Sequence, residues 1–205
     1  MMGKEGGGND FPHAPSGLGG GVRHERHREV SVGRGEDHPP HIRLFQPADW
    51  PACWAIIGPI LKAGETYPQP PETSEAAARQ WWIDDHRAVY VAELEGVVVG
   101  TYYLTDNKPG LGSHVANAGY MVGPAAQGRG VGRAMGIHSL SAARELGYQA
   151  LQFNLVVTTN QASIRIWDDL GFSRVGTLPK AFRHAKHGLV DALVMYKWLD
   201  GDGGR

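Results

Sequence analysis

The sequence predicts an α/β fold, a mixed sheet with helices packed on it. Three observations predict it. From residue 41 onward, short strand-like runs and longer helix-like runs follow in the order strand, helix, helix, three strands, helix, strand, helix, two strands. Two of the strand runs are joined by only Glu95 and Gly96, a hairpin turn. A glycine-rich stretch, with Gly128, Gly130 and Gly132 close together, follows a strand and opens a helix.

Taken in order, "HIRLFQ" (41–46) alternates apolar and polar residues, as a half-buried strand does. Asp49 stands where it can cap a helix over 50–64, and Pro51 is tolerated in the first turn. "ETYPQPP" (65–71) is a proline-rich loop. Thr73 or Ser74 caps a second helix, "EAAARQWWIDDH" (75–86), which has no interior Gly or Pro. "AVYVAEL" (88–94) and "VVVGTYYLT" (97–105) form the hairpin, "DNKPGLG" a loop, and "SHVANAGYMV" (113–122) the next strand. The glycine segment leads into a helix, "VGRAMGIHSLSAAREL" (131–146), with its start taken from about Gly128, and the helix stops at Gly147 in the C′ position. "QALQFNLV" (149–156) is a strand, and "NQASIRIWDDL" (160–170) a helix stopped by Gly171. "FSRVGTL" (172–178) and "LVDALVMYKWL" (189–199) close the sheet.

The first 40 residues differ from the rest: rich in Gly, His and charge, poor in large apolar residues. Such a segment cannot bury enough surface to offset its ordering entropy. It is expected to be a disordered tail, residues 41–200 a single domain, and 201–205 a disordered end. His24, His27, His38 and His41 match no ligand spacing, and no metal is expected. With 20 Lys and Arg against 21 Asp and Glu, bulk charge points to neither a nucleic-acid nor a membrane partner. No apolar run approaches the roughly 20 residues of a membrane span, and the start lacks the apolar core of a signal peptide. One cysteine, Cys53, excludes an intramolecular disulfide. A cytoplasmic protein is expected, and a homodimer stays open.

The glycine-rich stretch poses a chemical question. A helix N-terminus carries unpaired N–H groups and partial positive charge, so it holds anions. Glycines let a phosphate touch the backbone, and Arg129 and Arg133 add charge at the rim. A Walker loop requires Gly-Lys-Ser/Thr, but Gly132 is followed by Arg133 and Ala134. A dinucleotide fingerprint requires G-x-G-x-x-G and an acid after the next strand; neither is present. What remains is Val122-Gly123-Pro124 followed by Gln127-Gly128-Arg129-Gly130-Val131-Gly132.

That pattern resembles the pyrophosphate loop of the GCN5-related N-acetyltransferases (GNAT). The following unit, Asn160-x-Ala162-Ser163 through Leu170-Gly171-Phe172, is similar to the family's second motif. The resemblance covers residues 42–199 and implies the GNAT fold, a mostly antiparallel sheet splayed between its fourth and fifth strands. It implies acetyl-CoA as cosubstrate and no metal. The backbone of Tyr120, Met121 and Val122 would pair with the pantetheine arm. Gln127, Gly128, Arg129, Gly130, Val131, Gly132 and Arg133 would hold the pyrophosphate, and Asn160 the arm further down. An oxyanion would rest on the N–H near Val122.

The chain departs from the family twice. Trp167 stands where a tyrosine often protonates the departing thiolate, so it reads equally as a wall of the coenzyme site or as core. Where a glutamate base often sits, the strand offers Asn117 and Gly119; water relayed to Glu93, Asp191 or a histidine remains open. Asparagine is depleted in strands, yet Asn117 and Asn154 fall on the two strands expected to part, which points to an acceptor pocket or to buried amides pairing local backbone. Residues 113–172 resemble the branch acting on azetidine-2-carboxylate and other proline analogues, in which the matching asparagines hold the acceptor. Thr66 and Tyr67 could line the pocket, and Arg183, in an expected loop, could meet a substrate carboxylate. The implied activity is acetyl transfer to the amine of a small amino or imino acid. Transfer to a protein or peptide amine, or coenzyme sensing without turnover, are the alternatives.

Overall fold

The computed structural model describes residues 39–199. Of the expected disordered segments all but Pro39 and Pro40 lie outside the described residues, and so do His24, His27 and His38. Seven strands form one sheet: β1 (His41–Leu44), β2 (Ala88–Leu94), β3 (Val97–Asp106), β4 (Val115–Val122), β5 (Ala150–Val157), β6 (Ser173–His184) and β7 (Gly188–Trp198). Their order across the sheet is β1-β2-β3-β4-β5-β7-β6. Every neighbouring pair is antiparallel except β4 and β5. The helices are α1 (Trp50–Ala63), α2 (Glu75–Arg79), α3 (Val131–Glu145) and α4 (Gln161–Asp169).

Strand periodicity divides the core. Successive strand side chains point to opposite faces, so Tyr102 and Tyr103 join different clusters. On one face Trp50, Ile57, Leu61 and Trp82 from the first two helical segments cover Val91, Tyr103 and Met121. On the other, Val131, Met135 and Trp167 of α3 and α4 cover Tyr102, Leu104, Leu151 and Met195.

Local signals decide most boundaries. Glu95 and Gly96 both take positive φ, 52° and 77°, as the tight hairpin requires. Ser74 is the residue that caps α2, accepting from Ala77 N–H. Gly147 and Gly171 terminate α3 and α4 at positive φ.

Four expectations are corrected. Asp49 makes no cap bond to α1; its carboxylate accepts instead from Arg43 at 2.7 and 2.8 Å and from Gln46 N–H at 2.7 Å. An ion pair with a bidentate guanidinium outcompetes a single cap bond. The second helix keeps α geometry only to Arg79 and widens into a π turn over Gln80–Asp84. The extra residue in the turn lets two consecutive indoles, Trp81 and Trp82, both reach the ring of Tyr67 at 5.7 Å. α3 begins at Val131, where the run 131–146 begins, and the start from about Gly128 is corrected because Gly128 and Gly130 take φ of 76°. Finally, β6 runs on through Arg183 to His184, where a loop was expected.

Candidate functional site

The parallel β4–β5 ladder is short. Val115, Ala116 and Asn117 pair with Ala150, Leu151 and Gln152, and pairing then stops. Beyond that point the strands part, and the edge of β4 has no partner on β5; at Tyr120 the Tyr67 hydroxyl takes up both the N–H and the carbonyl, at 2.8 and 2.7 Å. Gly123 N–H bonds Val99 O of β3 at 2.8 Å, so Tyr120 and Val122, of the opposite parity, turn their backbone groups into the gap.

The gap opens into a cleft of about 850 Å³. At one end lies the glycine loop. Gly128 and Gly130 are left-handed, and a Cβ on either would meet nothing within 4 Å. Among the described residues no side chain caps α3, so the first N–H groups of that helix, at the cleft wall, have no partner there. Gly132 serves differently: a Cβ there would lie 3.3 Å from Ile166 Cδ1. It permits α3 to approach α4, while its backbone lines the cleft with Gly128 and Gly130. Arg133 is the only charged side chain lining the cleft among the described residues. Arg129 does not line it; its N–H bonds Ala126 O at 3.3 Å and its side chain is exposed.

The cleft runs from this loop past Val122, Met121 and Tyr120 to Asn117. Asn160 lines it while capping α4, its amide oxygen accepting from Ser163 N–H at 3.2 Å. Trp167 lines it too, although only 6% exposed, with its ring 4.7 Å from Tyr120 and 4.5 Å from Phe153. Wall and core are thus combined in one side chain.

At the far end Asn117 and Asn154 both line the cleft, in one amide cluster. Asn117 Nδ2 donates to Gln152 O at 3.0 Å, at the last rung before the strands part. Asn154 accepts from Gln152 Nε2 at 2.8 Å and donates to Asn107 Oδ1 at 2.7 Å. Thr66 and Tyr67 line the same end, brought there by the loop after α1. That loop is held by the tip of the β6–β7 hairpin. Ala185 N–H donates to Gly64 O at 3.0 Å, and Lys186 Nζ lies 2.5 Å from Glu65 Oε1.

Residues not foreseen in the sequence complete this end: Ile60, Pro68, Gln69, Trp81 and Tyr103. One signal was available for Tyr103. It faces Gly119 across the β3–β4 ladder, and a Cβ on Gly119 would come within 2.6 Å of the tyrosine ring. A glycine opposite an aromatic residue marks a ring lying flat over the strand. That ring occupies the place where a glutamate base was sought.

The proposed bases are elsewhere. Glu93 is bound by Arg43 at 3.0 and 2.5 Å and by His41 at 3.3 Å, near the outer edge of the sheet. Those partners hold its carboxyl below the usual range. Asp191 Oδ1 accepts from Lys180 N–H at 2.8 Å. Neither lines the cleft, and no Asp, Glu or His does among the described residues. Arg183 is exposed on β6 and does not line it either. Among the described residues no group of His, Cys, Asp and Glu has the arrangement of a metal site.

Fold and cleft define a class: an α/β domain in which one cleft runs from a glycine-lined helix N-terminus along the part of β4 that β5 leaves unpaired. Comparison with known proteins makes the class specific. Residues 50–172 match the Acetyltransferase (GNAT) family, and the chain belongs to that family. It is similar to N-acetyltransferase aca1 of Schizosaccharomyces pombe, 39% identical over 98 residues, 47% of each protein. A GCN5-related N-acetyltransferase from Kribbella flavida has 40% identity and a TM-score of 0.74, covering 78% of this chain and 98% of that one. Salmonella typhimurium yncA, solved with acetyl-CoA, has 25% identity and a TM-score of 0.71, covering 82% and 98%. The match spans less than half the length of the curated relative aca1.

Proposed function

We propose that the protein is an acetyl-CoA-dependent N-acetyltransferase whose acceptor is the amine of a small amino or imino acid. One observation carries this reading: the edge of β4 that β5 leaves unpaired, beyond Asn117 and on to Val122, connects the glycine cradle to the amide-lined end within a single cleft. The residues fit the coenzyme. Unpaired N–H groups behind Gly128 and Gly130, with Arg133 beside them, suit a pyrophosphate. The backbone of Tyr120 and Val122 suits an amide-bearing arm, which adds like a strand. Acetyl-CoA supplies an acyl group activated as a thioester.

The order along the cleft assigns the remaining roles. Val122 lies nearer the cradle and Tyr120 nearer Asn117; the Val122 N–H is open to the arm, and the Tyr120 N–H becomes available to the oxygen that gains charge once the Tyr67 hydroxyl releases it. The acceptor end is walled by Trp81, Tyr103 and Tyr67, and the hairpin tip fastens its loop. This favours a small acceptor over a peptide. Asn117 and Asn154 orient the acceptor, which agrees with the resemblance to the proline-analogue branch. No Asp, Glu or His lines the cleft among the described residues, so the amine reacts from the fraction that is already free base in solution.

The cytoplasm is the proposed location. Cys53 is buried, and its thiol is pushed up to about 12, mainly by desolvation. Val175, Leu178, Leu189 and Trp198 stand exposed on β6 and β7 and support a homodimer, which sedimentation would test.

A panel of amines assayed for free thiol release tests the function. Release with proline analogues or other small amino acids is expected; release only with peptides overturns the acceptor. The lack of a lining acid or imidazole favours a second reading, coenzyme binding without turnover. Binding of CoA with no thiol release from acetyl-CoA and any amine would establish it.

A further inference from the structure

The Tyr67 hydroxyl makes both of its hydrogen bonds to one residue. It donates to Tyr120 O at 2.7 Å and accepts from Tyr120 N–H at 2.8 Å. These are the groups that a continuing β4–β5 ladder would have paired. A phenol from a loop therefore stands in for the missing strand at one point of the gap. Its ring is clamped edge-on by Trp81 and Trp82, each 5.7 Å away. Burial pushes the phenol well above its usual range, so it keeps its proton.

An arm that enters at Gly128 and passes Val122 brings its thioester end to Tyr120. The acyl oxygen and the phenol oxygen then compete for one N–H. We propose that Tyr67 is a catalytic hydrogen-bond donor: its hydroxyl holds the place of the acyl oxygen on Tyr120 and, once that oxygen takes the N–H, turns its own proton from the Tyr120 carbonyl onto it. This rests on the coenzyme reading above. Charge builds on that oxygen as the amine nitrogen bonds to the acyl carbon. The carbon–sulfur bond then breaks, its electron pair leaves with sulfur, and the amine proton passes to water. Tyr67 and Tyr120 are the two donors facing that charge, and one such donor is worth roughly a hundredfold to a thousandfold in turnover. The loop is held at Gly64 and Glu65 by the hairpin tip, which confines the adjustment to the few residues around Tyr67.

Tyr67→Phe keeps the ring between its tryptophans and removes only the hydroxyl. Three measurements on the full chain test the proposal: calorimetric affinity for CoA, turnover, and the infrared carbonyl band of bound acetyl-CoA labelled with carbon-13 at the carbonyl, recorded without amine. The expected result is CoA bound as tightly as by wild type or several-fold tighter, turnover down roughly a hundredfold, and a carbonyl band at higher frequency than in wild type. Tighter CoA binding with turnover and band unchanged would make the phenol a plug and overturn the proposal. So would weakened CoA binding with normal turnover at saturation. If the variant folds poorly, 3-fluorotyrosine at position 67, a stronger donor, is expected to lower the band further; an unmoved band overturns the proposal. Wild-type protein that fails to bind CoA overturns the coenzyme reading, a result distinct from a Phe variant that binds and turns over normally.

Discussion

Gly130→Val separates coenzyme binding from folding. Gly130 stands immediately before α3 with φ 76° and ψ 1°. A branched residue forced into this left-handed conformation costs about 1–2 kcal/mol, small beside the roughly 5–15 kcal/mol that holds a domain together. A Cβ there meets nothing within 4 Å, so the side chain enters the open space at the helix N-terminus without clashing with protein. Displacing a pyrophosphate from two N–H groups forfeits two charge-assisted hydrogen bonds of about 1.5–3 kcal/mol each. The sum, about 3–6 kcal/mol, predicts CoA affinity weaker by roughly 10²–10⁴. Calorimetric titration with CoA reads the affinity, and urea midpoints read the fold. Gly147→Val is the matched control. Its φ is 87°, its Cβ also meets nothing within 4 Å, and it does not line the cleft. It is expected to lose similar stability and no affinity. Wild-type affinity in a folded Gly130→Val protein would refute the reasoning, as would equal affinity losses in both variants.

Further outcomes follow from the same geometry. Asn117→Ala is expected to lower turnover roughly a hundredfold, about 2.7 kcal/mol, with CoA affinity little changed; Asn154→Ala is expected to raise the apparent KM for the amine more than it lowers turnover. Steady-state kinetics with both substrates varied checks the pair. Arg43→Ala leaves Asp49 and Glu93 without their shared partner, with side chains only 10% and 16% exposed, and should cost about 3 kcal/mol in urea unfolding. Because Arg43 lowers both carboxyls, the stability it adds is present at neutral pH and is lost as pH falls through their folded values, so the gap between wild type and Arg43→Ala closes in acid. His86 stacks on Tyr103 with centroids 3.6 Å apart, and both its ring nitrogens are buried without a partner among the described residues. Desolvation pulls it from 6.5 down to about 4. Protonation therefore favours the unfolded chain, and wild type loses stability as pH falls from about 6.5 toward about 4; His86→Phe should flatten that loss, read as urea midpoints at pH 7 and 5.

Much of the fold is local in origin and so legible along the chain. The strand at 88–94, its Glu95–Gly96 turn and the partner strand follow from period-two patterning and a positive-φ turn, both set by residues in sequence contact. The cradle is equally local: Gly128 and Gly130 take conformations that only glycine adopts cheaply, a few residues ahead of the helix they serve. The asparagines at 117 and 154 were conspicuous because strands disfavour them, and both do line the cleft. Tertiary structure alone decided which groups meet. Tyr67 and Tyr120 are 53 residues apart, and nothing within the loop's own sequence directs a phenol to that backbone. Its position depends on the π turn that gathers Trp81 and Trp82 around it and on a hairpin tip that fastens Gly64 and Glu65 from more than a hundred residues away. Asp49 shows the same limit: its sequence context reads as a helix cap, and only the arrival of Arg43 from the neighbouring strand redirects it. Periodicity and turn chemistry act through adjacent dihedrals, whereas the pairing of side chains across the cleft is a packing outcome of the whole sheet.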